Sequence, residues 1–333
     1  MLNVAIIGVG YWGPNLVRNF MSLDSCRVSW VCDSRQVRLD YIAANYPGVR
    51  TTVQTRDVLA DSRTDAVVIA TPVETHFDLA MSALKAGKHV FIEKPMTYSS
   101  EQDLVLLNLA EQSGLKIGTG HIFIYHPAVI QMKEILREKR IGAPYYAFSS
   151  RMNPSPSHGH VEVIWDLAVH DIAISLYLWG EKPESVRATG ASFAHKDRID
   201  VATVEMFFPD GTFTSHHVGW LTSAKERCFF LAGTAGSMKF DDMLSDKLTV
   251  TGPAIDTRLD PEAQKGFIFY APGTSEVAKL PACEPLRDEC ENFVQFVLNG
   301  GVMASDGTLG HSVVQVLEAA TRSVREGGVL ITL

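Results

Sequence analysis

Three side chains have the types and spacing to run acid–base chemistry at a carbon–oxygen bond: Lys94, Asp166 and His170. Lys94 closes the stretch His89-Val90-Phe91-Ile92-Glu93-Lys94-Pro95, an apolar β-like run that stops at a carboxylate, an amine and a proline. In an open α/β sheet, ligands collect outside the carboxyl ends of the strands, so this amine is expected on the floor of a cleft. Asp166 and His170 lie four positions apart in a segment where Ile164, Leu167, Ile174 and Leu178 can serve a buried side. That spacing puts the pair on one helix face, a turn apart. An imidazole titrates near neutral pH and can take a hydroxyl proton, while a carboxylate behind it fixes the tautomer and stabilises the imidazolium. An ammonium group favours negative charge developing on the substrate oxygen. Alone, an Asp–His pair at this spacing reads equally as a surface ion pair. Lys94 is itself a candidate base if burial lowers its pKa. Asp171, turned by about 100° from His170, reads as a structural cap or pair.

The N-terminus carries the signature of a dinucleotide site. Val4-Ala5-Ile6-Ile7 reads as a buried strand, followed by Gly8-Val9-Gly10-Tyr11-Trp12-Gly13 and a helix bearing Leu16, Val17 and Phe20. In this G-x-G-x-x-G pattern, Gly8 permits the tight turn, Gly10 lets main chain approach a pyrophosphate, and Gly13 allows close helix packing. Tyr11 and Trp12 fill its variable positions. A second strand, Val28 to Cys32, closes at Asp33, twenty residues beyond Gly13, where an acid should accept from the adenosine ribose diol. Its charge would repel a 2′-phosphate, favouring NAD over NADP, although Ser34 is followed by Arg35, which can accommodate that phosphate. Thr71-Pro72 follows the strand Ala66 to Ala70, and with His76, Glu93 and Lys94 it completes the expected cofactor side. His76 reads equally as a polar cap on a helix start.

These residues need a frame. Strand and helix patterns alternate through residues 1–121, which implies a doubly wound parallel sheet, a Rossmann domain. Residues 122–333 are expected to form an α+β domain, with the last helix free to pack back toward the first. From Ser185 the pattern turns to strands, and Val201-Ala202-Thr203-Val204-Glu205-Met206 alternates as a half-buried antiparallel sheet does. The Asp166/His170 helix is expected over one sheet face. The other face lacks a partner, which suggests a homodimer or homotetramer. Glu284 to Leu298 and Ser312 to Arg325 read as closing helices. Pro154-Ser155-Pro156-Ser157-His158-Gly159-His160 reads as a lid or an ordinary surface connection. No carboxylate or cysteine supports His158 and His160, so no metal is expected. Residues 251–281 carry no reading.

Composition sets the bounds. A chain of 333 residues, 46% hydrophobic and 20% charged, can build two ordinary cores. A net charge of −8 without a basic run argues against nucleic acid as partner. Five scattered cysteines without a C-x-x-C pair argue against a disulfide framework. No apolar run is long enough for a membrane span, and Met1-Leu2-Asn3 enters a strand without a leader pattern, so a cytoplasmic setting is expected.

With these motifs in view, the chain resembles the Gfo/Idh/MocA family of nicotinamide-dependent oxidoreductases. The resemblance rests on Gly8 to Gly13, Ala70-Thr71-Pro72 with His76, Glu93-Lys94-Pro95, and Trp165-Asp166-Leu167-Ala168-Val169-His170-Asp171. It implies a Rossmann domain, a second domain on a large, mostly antiparallel open sheet, and a catalytic set of Lys94, Asp166 and His170. Gly10 to Asn19, Gly120-His121 with Tyr125, Arg151-Met152-Asn153, and Gly219-Trp220-Leu221 followed by Lys225 are similar to the nucleotide-sugar branch. The expectation is oxidation of a sugar C3 hydroxyl, as in UDP-N-acetylglucosamine 3-dehydrogenases. Tyr125, Arg151 and Asn153 would orient the sugar, with His170 at its hydroxyl and Lys225 meeting a phosphate. A free polyol or inositol dehydrogenase, an NADPH-dependent ketosugar reductase, and a non-catalytic nicotinamide-binding regulator are the alternatives.

Overall fold

The computed structural model describes residues 1–154, 161–194, 196–252 and 273–333, with the main chain of two short strands between the last two ranges. Residues 155–160, which hold His158 and His160, lie outside the described residues, as does most of 253–272. The chain divides into two units, Met1–Tyr125 with Cys283–Gln315, and His126–Ala282 with Val316–Leu333.

In the first unit, β1 (Leu2–Ile7), β2 (Cys26–Cys32), β3 (Arg50–Thr52), β4 (Ala66–Ile69), β5 (His89–Glu93) and β6 (Ile117–Gly120) form one parallel sheet. Helices α1 (Gly13–Met21), α2 (Gln36–Asn45), α3 (Thr55–Ala60), α4 (His76–Lys85) and α5 (Ser100–Gln112) connect the strands. The order β3-β2-β1-β4-β5-β6 is the doubly wound one. Its direction of winding reverses between β1 and β4, so the loops after those strands flank the crevice where such sheets bind ligands. β4 is buried at every position, the mark of a parallel strand covered on both faces. Nothing in the sequence pattern announces α2, β3 and α3. β3 is a three-residue edge strand without a fully buried position, and α3 has only six residues, too short for a periodic signal.

The second unit opens with α6 (Pro127–Arg137), β7 (Pro144–Met152) and α7 (Val169–Trp179). The strands β8 (Ser185–Ala191), β9 (Val201–Phe207), β10 (Phe213–Gly219), β11 (Glu226–Gly233), β12 (Gly236–Asp241) and β13 (Leu248–Thr251) follow. β14 (Ile255–Asp256) and β15 (Phe269–Tyr270) pair with each other, and β16 (Ser275–Val277) and β17 (Ile331–Thr332) join the main sheet. That sheet has nine strands in the order β16-β13-β12-β11-β7-β10-β9-β8-β17. β7 and β10 run parallel, and the other pairings are antiparallel. The open, mostly antiparallel sheet is therefore present, with α7 packed on β10 and α6 beside α7. Gly180 ends α7 in the left-handed region, and the Lys133 ammonium donates to the Leu178 carbonyl at 2.8 Å, satisfying an end carbonyl.

Two helices close the chain, α8 (Pro285–Asn299) and α9 (Gly307–Arg325). α8 belongs to the first unit, where Phe293 meets Phe20 and Phe91 edge to face at 6.4 and 5.4 Å. α9 begins five residues earlier than its apolar pattern suggests. The reason is close packing: a Cβ on Gly307 would lie 2.7 Å from Leu107, and one on Gly310 2.5 Å from Thr119. These glycines make room for neighbours and do not break the helix.

Candidate active site

The first unit gathers its functional residues at the carboxyl ends of β1, β2, β4 and β5. Gly8 has φ +95°, and a Cβ there would lie 2.6 Å from the Ala70 carbonyl oxygen. A Cβ on Gly13 would lie 2.4 Å from the Gly8 carbonyl oxygen, so the turn admits only glycine at both positions. Asp33 closes β2 and is buried. Its carboxylate accepts from the Val9 N–H at 2.9 Å, the Arg35 N–H at 2.9 Å and Arg38 Nη1 at 3.1 Å. Burial alone would raise this carboxyl, but the two main-chain donors and Arg38 outweigh it and hold Asp33 below the ordinary carboxylate range.

Beside Asp33 lies a cavity of about 260 Å³ lined by Val9, Gly10, Val37, Arg38 and Tyr41, among others. An ionised acid pinned at a cleft edge, a glycine turn without side chains and an adjoining hollow fit the adenosine half of NAD. Tyr11 in the turn is exposed, Trp12 is half-buried and Ser34 is exposed. Arg38, Val37 and Tyr41 are additions to the residues expected from sequence. They stand on the first turns of α2, which the sequence pattern does not announce, so only their nearness to Asp33 in the chain could have pointed to them.

Thr71 and Pro72 follow β4, where the Thr71 and Thr75 hydroxyls share a hydrogen bond of 2.6 Å. His76 is buried, with Nε2 2.9 Å from the Thr71 carbonyl oxygen and Nδ1 3.0 Å from the Pro95 carbonyl oxygen. The ring thus ties the turn after β4 to the turn after β5. Burial pushes its pKa down against the pull of the carbonyls.

Glu93, Lys94 and Pro95 follow directly at the end of β5, with the Lys94–Pro95 peptide cis. Glu93 accepts from the Lys94 N–H at 3.2 Å, and burial pushes its carboxyl up to about 7. Around it stand two groups that sequence reasoning did not assign. His121, just past β6, is buried and pushed down to about 3, by burial first and then by the Lys94 charge. Glu289 on α8 is wholly buried, and burial with the Glu93 carboxylate holds it well above the usual range. Tyr125 is buried as well. Its hydroxyl donates to Asn292 Oδ1 at 2.9 Å and shares a hydrogen bond with Ser305 at 3.0 Å, which places it in the framework of this unit.

The second unit presents the acid–base pair. The helix expected to carry Asp166 and His170 is not one continuous α-helix: Ile164–Ala168 form a π turn, and α7 begins at Val169. Such wide turns recur at functional sites, and here one holds Asp166. In an α-helix, residues four apart are offset by about 40°. The two therefore share one side of the segment. From Val163 to Leu176, Asp166 and His170 are the two positions not fully buried, so they form the open edge of an otherwise enclosed segment. The Trp220 indole donates to Asp166 Oδ2 at 3.1 Å, and the Trp165 indole donates to the Thr321 hydroxyl at 2.8 Å.

Beneath α7, Arg151 on β7 makes a two-point ion pair with Asp171. Both side chains are buried, so the guanidinium expected at a sugar stands in the packing under the helix, and Asp171 pairs structurally. His216 on β10 is buried among the hydroxyls of Ser149, Ser175 and Thr214 at 2.8 to 3.1 Å, and burial pushes it down to about 4. Asn153 follows β7, half-buried, with its N–H on the Gly219 carbonyl at 3.1 Å. Lys225 is exposed on the connection from β10 to β11. Among the described residues, no group of three His, Cys, Asp or Glu side chains could hold a metal ion, and no helix is long and apolar enough to cross a membrane.

Comparison with known proteins adds three findings. Residues 2–121 match the model of an oxidoreductase family with an NAD-binding Rossmann fold, and residues 129–239 match the GFO/IDH/MocA C-terminal domain. The chain is 34% identical over 217 residues to UDP-N-acetylglucosamine 3-dehydrogenase of Acidithiobacillus ferrooxidans, covering 63% of this chain and just under two thirds, 64%, of that one. It is 24% identical over 328 residues to inositol 2-dehydrogenase of Rhizobium meliloti, covering 96% of each. Among solved structures, the UDP-N-acetylglucosamine 3-dehydrogenase GnnA from Acidithiobacillus ferrooxidans superposes with a TM-score of 0.83 at 26% identity, covering 98% of both chains.

Proposed function

The chain belongs to the GFO/IDH/MocA family of oxidoreductases, and from that premise we propose that it is an NAD-dependent dehydrogenase oxidising the C3 hydroxyl of a nucleotide-linked sugar such as UDP-N-acetylglucosamine. The observation that carries the chemistry is the Asp166–His170 pair, the open edge of a buried segment. The substrate class is supported by the likeness to a UDP-N-acetylglucosamine 3-dehydrogenase in sequence and in structure.

When bound, NAD supplies the hydride acceptor. Asp33 receives a ribose hydroxyl, and the main chain of the glycine turn meets the pyrophosphate. His170 takes the sugar hydroxyl proton onto its imidazole, and Asp166 stabilises the imidazolium. Lys94, just past β5 in the first unit, completes the proposed catalytic set as an ammonium group suited to favour negative charge on a substrate oxygen. Burial pushes Glu93 beside Lys94 up to about 7, which weakens its opposing charge as pH falls below 7.

A second reading, a free inositol or polyol dehydrogenase, is favoured by the full-length alignment with an inositol 2-dehydrogenase. Turnover with NAD on a panel of UDP-sugars, free sugars and inositols, read as NADH formation, separates the two. Oxidation of UDP-N-acetylglucosamine or a close nucleotide sugar is expected. Turnover of inositols alone gives the second reading, and a blank across the panel sinks both. The same screen by melting temperature in the presence of NAD reports binding without turnover.

The assembly belongs to this proposal. Tyr146, Phe148 and Phe213 line the centre of the nine-stranded sheet, each 37 to 45% exposed. Their rings and that of Phe230 stack at 4.9 to 6.5 Å, an apolar aromatic patch suited to a second copy of the same surface. Light scattering is expected to give a dimer or tetramer that Phe148→Asp reduces to a monomer. An unchanged mass for the variant argues against this face.

A further inference from the structure

We propose that Trp220 is a positioning residue for the Asp166–His170 pair, its indole N–H fixing the carboxylate that supports the imidazole. The inference rests on the reading that this pair performs the proton transfer. Asp166 sits in a π turn, a wide winding that recurs at functional sites, and its carboxylate has an anchor from outside that turn. Trp220 supplies it. It directly follows β10 and is itself held: its N–H donates to the Asp200 carbonyl at 3.1 Å, and its carbonyl accepts from Thr222 at 3.0 Å. Trp220 is 4% exposed, so the indole has little freedom to leave Asp166.

The chemistry of the donor matters as much as its place. An indole N–H donates only and has no lone pair to offer, so at 3.1 Å it meets Asp166 Oδ2 as an acceptor. That selects the rotation of the carboxylate without competing for the transferred proton. A tyrosine or histidine there could also accept and would impose no such selection. Trp165, in the same turn, is a natural comparison: its indole donates to the Thr321 hydroxyl at 2.8 Å.

The test is a double-mutant cycle on turnover of UDP-N-acetylglucosamine, or of the fastest sugar in the panel. Trp220→Phe is expected to lower kcat roughly tenfold, the low end for a hydrogen bond to a charged group, with the NAD dissociation constant unchanged. In an Asp166→Ala background the same change is expected to add nothing, because the partner it acts through is gone. Trp165→Phe is the control and should leave kcat within about twofold of wild type. Equal losses in both backgrounds, or an equal loss from Trp165→Phe, would make the indole a general support and overturn the proposal. A wild-type protein without turnover on any sugar sinks the dehydrogenase reading. A wild type that turns over, with a Trp220→Phe variant of unchanged kcat, sinks the positioning role alone. Should Trp220→Phe not fold, the indole N–H resonances decide: Asp166→Ala is expected to move the Trp220 signal and leave that of Trp165. An unmoved Trp220 signal overturns the contact.

Discussion

Arg151 and Asp171 join β7 to the helix carrying His170 through two hydrogen bonds, at 3.0 Å from Nε and 2.7 Å from Nη2. Their side chains are 5% and 2% exposed, so neither charge has water to fall back on. Removing one partner takes away the opposite charge that balances the other in a buried setting. Asp171→Asn or Arg151→Met is therefore expected to cost about 3–5 kcal/mol in urea unfolding. The double change to Arg151→Met with Asp171→Leu should recover most of it, because two apolar groups leave no charge behind. A single-variant loss below about 1 kcal/mol would show that the pair is not what anchors α7.

Turnover and cofactor affinity are expected to part company at His170. His170→Asn removes the proposed base while keeping a polar side chain of similar reach, and kcat should fall by about 10²–10⁴. NAD binding, followed by the quenching of tryptophan fluorescence, should hardly change. A parallel loss of both would mean that the substitution disturbs the helix and not the chemistry.

Asp33 carries the opposite expectation. Its carboxylate is held in the ionised form by Val9, Arg35 and Arg38, so its contribution persists above its lowered pKa and is lost only as pH falls through it. Calorimetric titration should give an NAD affinity without an Asp33 titration between pH 6 and 9. Asp33→Ala should weaken NAD by about 10- to 100-fold while narrowing the preference over NADP. A preference for NADP in the wild type would contradict this assignment, with Arg38 then acting on the 2′-phosphate.

The buried acids Glu93 and Glu289 make stability depend on pH with a definite sign. Both stand above the ordinary value of 4.5, Glu93 at about 7, because burial disfavours their charge. The folded state keeps protons that the unfolded chain releases, so this contribution is complete below pH 4.5 and declines as pH rises through 7. His121, pushed down to about 3, acts in the other direction, its contribution lost as pH falls below 6.5. Glu289→Gln keeps the shape and removes one of the acids. Unfolding measured at pH 5 and pH 8 should show a smaller drop for the variant than for wild type. An equal drop would mean that Glu289 is already ionised in the folded protein.

Much of the cofactor side was legible in residue order because its demands are local. A turn that excludes any Cβ needs Gly8 and Gly13, a parallel strand buried on both faces reads as a continuous apolar run, and an acid at the end of β2 follows at a set distance. Asp166 and His170 were visible for the same reason, since four residues make one helical turn. The sequence by itself determined these elements, their order and the identities of the reactive groups. Only the tertiary structure decided which buried groups face one another: Trp220 against Asp166, Arg151 against Asp171, Glu289 beside Glu93. Periodicity reports which side of an element is buried, but a charge or a hydrogen-bond donor removed from water takes whichever partner the packing of distant segments brings within reach, and no local pattern records that choice.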